Sequence, residues 1–430
     1  MGFLFYTIVL FLHLIFLQFN QKKLSSPLGI YGIVWLGLIV FSRIGFVEYN
    51  SFTFEANLIY LLNYFMFLLG SLTIKIGVKW QINKKKLLNK INYERLNLFN
   101  DKLILYVIRI LLFISLFSII IKWIVLINNF GSLTFIINHA NHVRYQLIGS
   151  NNLNFPFYYR YIAYLSSLSI IAAVFSSFYV IFISSKVITP YLSLIILLLN
   201  DLVTFGRINI IWGSLFFVSA FIISVYLGIN KINYKTILKY IIIVVVVFLI
   251  INLPRQIRSN GVGLISNISD TFKSYYIYAT GGFTAFSEYL RTAKSSTTNG
   301  WAFFNPFMRF FERLGIIKSI DFSYIYDFID IPFRFNVFTI LRDIYSDFGI
   351  IGIILIPYIL GGFSTYICFS LKYKFKLTTI LMLIYIYMSI IFSVIYNPFS
   401  MGVNIIGLGG TLILGLFLEK KGVVINANKS

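Results

Sequence analysis

Residues 103–127 read LILYVIRILLFISLFSIIIKWIVLI, 25 residues with two charges, Arg109 and Lys122. A helix needs about 20 mostly apolar residues to cross the ~30 Å hydrocarbon core of a bilayer. This stretch meets that requirement, and the same criterion applied outward marks ten more. The eleven expected spans lie near 2–19, 28–46, 56–78, 103–127, 159–184, 187–205, 208–229, 237–253, 347–371, 376–396 and 401–418. The whole chain agrees. Its 430 residues are 59% hydrophobic and 12% charged, with a mean hydropathy of +0.85. Soluble domains run near about 45–50% apolar and about 25% charged, and a soluble core of this length could not hide so much apolar surface. The expected fold is an all-α, polytopic integral membrane protein.

The first apolar segment has no basic region before it and no small-residue cleavage site; Lys22 and Lys23 follow it. It reads as a retained helix rather than a signal peptide. The sixth and seventh segments are nearly continuous through Asn200-Asp201-Leu202-Val203-Thr204-Phe205-Gly206-Arg207, so whether 187–229 forms one span or two decides the parity of the topology.

The net charge of +22 would point to nucleic acid in a soluble protein. Here no basic domain stands outside the apolar segments, and basic residues that gather in cytoplasmic loops account for the excess. With the N-terminus outside, the cytoplasmic segments hold twenty Lys and Arg against three acids. The expected orientation is therefore N-terminus periplasmic and C-terminus cytoplasmic. Three stretches follow: residues 1–253 with spans one to eight and a smaller outer loop at 128–158, a large outer loop at 254–346, and residues 347–430 with spans nine to eleven. The lone cysteine, Cys368, excludes an intramolecular disulfide and a cysteine-based zinc site. His139 and His142 stand three apart without a carboxylate or thiol beside them, and no metal or other cofactor is expected.

On the outer side the basic residues are mainly arginines, whose planar forks suit phosphate oxygens, and positive-inside topology does not explain them. Arg207 follows Phe205-Gly206, with Asp201 on the other flank of the turn; charges at that depth usually face a bundle interior or a wet cavity. Arg255 and Arg258, in Leu253-Pro254-Arg255-Gln256-Ile257-Arg258, are three apart and share a face on a helical turn. Two guanidiniums there would hold a diphosphate by bidentate bonds, although an interfacial pair held by ordinary lipid phosphates is the plainer account. Arg144, ahead of Gly149, is a further phosphate candidate.

The stretch from Tyr275 to Tyr289 includes Tyr278, Gly281 and Gly282. Its aromatics would fit a glycan groove or an interfacial belt. Further on, Asn336-Val337-Phe338-Thr339 precedes Arg342-Asp343-Ile344-Tyr345-Ser346-Asp347-Phe348-Gly349. Asp343 and Asp347 stand four apart, on one side of a helix, where either would position or deprotonate a sugar hydroxyl. The bland alternative makes Asp347 the cap of the ninth span.

The many spans, the large outer loop late in the chain and the order of these motifs resemble the Wzy-type O-antigen or oligosaccharide repeat-unit polymerases. The resemblance rests on Phe205-Gly206-Arg207, Arg255 with Arg258, Tyr278 with Gly282, and above all Asn336-Val337-Phe338-Thr339 with Tyr345-Ser346-Asp347-Phe348-Gly349 and Gly352. An Arg-x10-Gly pattern found in some members is missing from the outer loops. The resemblance implies a glycosyltransferase in the bacterial inner membrane, with undecaprenyl-diphosphate-linked oligosaccharide as both donor and acceptor. It implies no nucleic acid, and a chain-length regulator and a flippase as neighbours in the same membrane. Arg207, Arg255 and Arg258 would hold the diphosphate, with Arg258 stabilising the departing group. Asp343 or Asp347 would activate the acceptor; Arg342 and Arg144 would help electrostatically, and Tyr278 and Asn336 would touch substrate. An O-antigen ligase, a capsular polysaccharide polymerase and a lipid-linked oligosaccharide flippase are the alternatives. No internal repeat favours transport, and Glu48 and Glu55 lack the paired aspartates of a metal-dependent lipid-phosphate-sugar transferase.

Arg258→Ala is expected to abolish chain elongation while the protein still inserts, and Arg258→Lys to rescue poorly because the bidentate fork is lost. Gel profiles of surface glycan length give the readout, and a normal long-chain ladder in Arg258→Ala removes that residue from the site.

Overall fold

The computed structural model describes residues 2–19, 23–85, 100–149, 156–229, 268–292, 298–318, 328–373 and 375–427. The helices up to the middle of the chain are α1 (Gly2–Phe19), α2 (Pro27–Phe41), α3 (Phe54–Lys85), α4 (Asp101–Phe130), α5 (Leu133–Asn138), α6 (Ala140–Gly149), α7 (Phe157–Leu165), α8 (Leu168–Phe178), α9 (Leu192–Thr204) and α10 (Ile208–Leu227). Then come α11 (Ile268–Thr292), α12 (Asn305–Arg313), α13 (Ile340–Tyr373), α14 (Leu377–Phe392) and α15 (Gly402–Ala427). The described β-structure is one short antiparallel hairpin, β1 (Ile329–Asp330) with β2 (Arg334–Phe335), in which Ile329 faces Phe335.

Among the described residues five helices are long and apolar enough to cross a membrane: Phe54–Gly77, Asp101–Phe130, Ile208–Leu227, Ile340–Leu371 and Gly402–Lys421. Five shorter apolar helices are Phe3–Phe19, Pro27–Phe41, Leu168–Ile183, Thr189–Thr204 and Leu377–Phe392. Together they occupy ten of the eleven expected segments. The eighth, at 237–253, lies outside the described residues. The architecture is that of an all-helical membrane protein, and the shorter helices, at about 1.5 Å per residue, reach less than the ~30 Å core thickness.

Helix ends differ from the sequence expectation where polar residues interrupt the ladder. The segment expected at 159–184 is broken at Ser166 and Ser167 into α7 and α8, and a π-helical turn at Tyr179–Ile183 completes it. The segments at 187–205 and 208–229 are two helices. Leu202 and Asp201 carbonyls close α9 by accepting from Phe205 and Gly206 N–H at 3.3 and 2.8 Å, with Phe205 left-handed at φ 48°, ψ 33°. That is the Schellman end, which normally calls for glycine. The ninth segment starts at Ile340 and is broken at Gly349, whose φ 56°, ψ −146° only glycine adopts readily.

The chain divides into two compact units. Unit 1 comprises Met1–Ile91, Ser269–Phe375 and Ile386–Ile405; unit 2 comprises Asn92–Ile268, Lys376–Tyr385 and Ile406–Ser430. In unit 1 the core holds Trp35, Tyr60, Phe67, Phe283, Phe286 and Leu341. Helices α3 and α13 pack against each other there, and glycines make the approach close. A Cβ built on Gly70 would overlap the Tyr358 carbonyl oxygen, and one on Gly361 would overlap that of Phe67. Small residues at such crossings replace the hydrophobic drive that lipid removes. Helix α11, within the stretch expected as an outer loop, is part of this core: Thr280, Phe283, Thr284, Phe286 and Ser287 are all fully buried. Gly282 seats it, because an added Cβ would come within 3.1 Å of Val394 O and 3.2 Å of Thr339 N. In unit 2 helix α8 is buried from Ser169 to Phe178 on every side, among α4, α9 and α10.

Gly70→Ala is expected to lower stability by about 1–3 kcal/mol, since a backbone must shift to admit the methyl group. Gly37→Ala meets nothing within 4 Å and serves as the neutral comparison. Thermal unfolding of the detergent-solubilised pair measures the difference; equal midpoints would remove the close crossing as a source of stability.

Candidate functional site

In unit 2, the turn at Phe205, Gly206 and Arg207 is built by residues far apart in sequence. Asp201, fully buried on α9, accepts hydrogen bonds at Oδ1 from Asn209 N–H (3.2 Å) and Asn209 Nδ2 (2.8 Å), and at Oδ2 from Ile210 N–H (2.9 Å). Those backbone donors are orphans of the first turn of α10, so Asp201 caps that helix across the turn. Arg144, on α6 between the apolar helices α4 and α8, donates from Nη1 to the Thr204 carbonyl at 2.8 Å. It also lies near enough to Asp201 to interact electrostatically. Gly206 faces this guanidinium: a Cβ placed on it would be 3.6 Å from Arg144 Nη1 and 3.4 Å from Asp201 Oδ1. Arg207, half-buried, sits at the N-terminal boundary of α10. The Arg144 guanidinium and the N-terminus of α10 thus meet at a turn whose anion is the Asp201 carboxylate, with Arg207 adjoining in the chain. A buried phenylalanine held left-handed at its centre stores about 1–3 kcal/mol of strain, a frequent mark of functional turns.

Lys122 adds a third cation that sequence reasoning passed over. It is buried in α4, and its Nζ donates to Ser166 Oγ at 2.6 Å and to Asn200 Oδ1 at 3.1 Å. Ser166 stands at the break between α7 and α8, and Asn200 precedes Asp201. The available signal was a lone charge inside an apolar run, which is costly and usually faces a polar interior.

In unit 1 the two aspartates of the Arg342–Asp347 stretch hold different jobs. Asp347 takes a hydrogen bond from the Thr298 hydroxyl and from Ala302 N–H at Oδ1 (the latter at 3.0 Å), and from Phe303 N–H at Oδ2 (2.6 Å). Thr298 N–H also donates to the Ser346 carbonyl at 2.8 Å. Asp347 therefore caps the 298–304 turn rather than its own helix, and both of its oxygens are occupied. Asn397 completes the same turn, donating to the Phe303 carbonyl at 3.2 Å while its Oδ1 accepts from Phe399 N–H at 3.0 Å. Neither Thr298 nor Asn397 was visible as a site residue, because their role exists only through contacts with residues 49 and 94 positions away.

Asp343 is different. Arg342 donates to it from Nε at 2.9 Å and Nη2 at 2.7 Å, and both bonds fall on Oδ1. The guanidinium lies 4.4 Å from the centre of the Phe338 ring, which with the ion pair fixes its plane. Oδ2 of Asp343 receives no hydrogen bond among the described residues. Tyr289 of α11 faces the cluster and is raised above the usual phenol range by burial, with Arg342 opposing that shift.

Of the remaining expected residues, Tyr278 is exposed on α11 with its ring edge-on to Phe335 at 6.2 Å. Asn336 is exposed just beyond β2. Half of the aromatics in the stretch around Tyr278 point inward: Tyr276, Phe283 and Phe286 are core residues, which leaves them no face for a sugar. Arg255 and Arg258 lie outside the described residues. Among the described residues no three His, Cys, Asp or Glu side chains gather as metal ligands. No protein-family model, curated protein or solved structure matches the chain.

Asp347→Ala is expected to release the 298–304 turn, with a stability loss of about 1.5–3 kcal/mol from hydrogen bonds to a charged acceptor. Hydrogen exchange reads it directly: the Ala302 and Phe303 amides should lose protection while those of α3 keep theirs. Unchanged protection at those two amides would show that the carboxylate does not hold the turn.

Proposed function

We propose that this chain is a repeat-unit polymerase of the Wzy type. It would transfer a growing glycan from undecaprenyl diphosphate to a fresh lipid-linked repeat unit at the periplasmic face of the bacterial inner membrane. The observation that carries the reading is the Arg144 guanidinium held beside the Gly206 turn, with Arg207 the next residue along the chain, in a protein otherwise built of apolar helices. Planar guanidiniums stabilise the charge that develops on a departing diphosphate, the kind of fixed electrostatics that contributes most to catalysis. Arg255 and Arg258, in the next outer segment, are assigned to the same anion on their sequence spacing. The lysine-rich loops support an N-terminus outside and a C-terminus in the cytosol.

Asp343 is assigned to the acceptor. Its Oδ1 is held by Arg342 and its Oδ2 is left for a sugar hydroxyl, whose proton it would draw off as the hydroxyl oxygen bonds the anomeric carbon and the diphosphate leaves. Asp347, with both oxygens tied to the 298–304 turn, is assigned a positioning role.

Deletion in the producing bacterium tests the reaction class: single-repeat glycans on the surface are expected. Surviving long chains overturn the proposal, and a surface with no repeat unit at all points to a ligase. Point variants test the assignments separately. Arg207→Ala should cut elongation about 10²–10³-fold, with Arg207→Lys recovering little. Asp343→Asn, which keeps an acceptor for Arg342, should lose about 10²–10⁴-fold; near-normal ladders in that variant would strip Asp343 of its role.

A further inference from the structure

Helix α12 has two unlike faces. Phe307, Phe310, Phe311 and Leu314 stand at i, i+3, i+4 and i+7 along it and its C-cap, the spacing of one helical stripe. Arg309, Glu312 and Arg313 take the opposite arc. No residue of α12 is buried, and the four apolar side chains are 39–58% exposed. Such a contiguous apolar surface is seldom left to water.

The level at which α12 sits says what covers it. The turn leading into it is tied to Asp347 and Asn397, and Asp347 lies two residues before the Gly349 break where the long apolar limb of α13 begins. Pro306, at the start of α12, lies against Gly402, where an added Cβ would be 3.7 Å from its ring. Gly402 opens the apolar helix Gly402–Lys421. The helix is thus pinned within unit 1 at the N-terminal ends of two helices able to cross a membrane, the level of the lipid headgroups. Short, strongly two-faced helices with basic polar arcs lie in that plane. We infer that α12 is an in-plane membrane helix, its phenylalanines turned to the acyl chains and Arg309 and Arg313 at the height of the lipid phosphates.

Nitroxide labelling of the full chain tests this. In a Cys368→Ser background, labels at Phe310→Cys and Arg309→Cys are compared in vesicles of phosphatidylethanolamine and phosphatidylglycerol, with Phe113→Cys on α4 as the embedded reference. The label at 310 should collide readily with oxygen and several-fold less with an aqueous nickel chelate than the label at 309. Phe307→Cys should repeat the result for 310. Equal nickel access at 309 and 310 overturns the inference in favour of a helix in water. Low access of both reagents at 310 overturns it in favour of a protein partner, including a second copy of this chain.

Discussion

A hydrocarbon slab has no water to offer, so a backbone group released from a helical ladder must find its partner within the chain. In each unit, breaks in the helical course have been met by buried or half-buried side chains. Asp201 takes the first N–H groups of α10, and Arg144 takes the last carbonyl of α9. Asp347 and Asn397 take the N–H and carbonyl groups of the 298–304 turn. The places where polar side chains collect are therefore the places where the helices stop. The proposed reaction on a lipid-linked sugar would need polar groups at the membrane surface, and the same constraint that closes the fold supplies such groups at the helix ends.

That double duty is what separates the carboxylates. Asp343 and Asp347 are one turn apart on α13 and read alike in sequence, yet one has both oxygens engaged by backbone donors and the other has one oxygen held by a fixed arginine. The oxygens of Asp347 already serve three donors of the 298–304 turn, whereas Oδ2 of Asp343 takes no hydrogen bond from the described residues. The distinction comes from Ala302 and Phe303, whose arrival beside α13 has no trace in the local pattern.

Arg144 and Arg207 illustrate the converse case. Both were identifiable from residue type, because outer arginines exceed what topology demands. That position 144 reaches the end of α9, one turn from Arg207, depends on residues 133–149 folding as α5 and α6. Lys122 was missed since a single charge in a long apolar run contributes little to hydropathy, and its neutral partners Ser166 and Asn200 come from two other helices. The aromatic stretch around Tyr278 was legible as aromatic and small, but only packing shows that Gly281 and Gly282 draw α11 against the 331–339 segment and that half of its rings turn inward.

Apolar run length by itself determined the all-helical membrane class and the approximate positions of the ten described apolar helices, five of which are long enough to cross lipid unaided. The division of 187–229 into two helices was half-legible in Phe205-Gly206-Arg207, since glycine and a charge interrupt the run. The tertiary structure alone decided which helices form each unit, that the polar stretch at 268–292 is a helix with one buried face, and which aspartate has an oxygen that no described residue hydrogen-bonds. Those outcomes depend on hydrogen bonds and close glycine contacts between residues dozens to hundreds of positions apart, and a linear pattern does not encode which partners will meet.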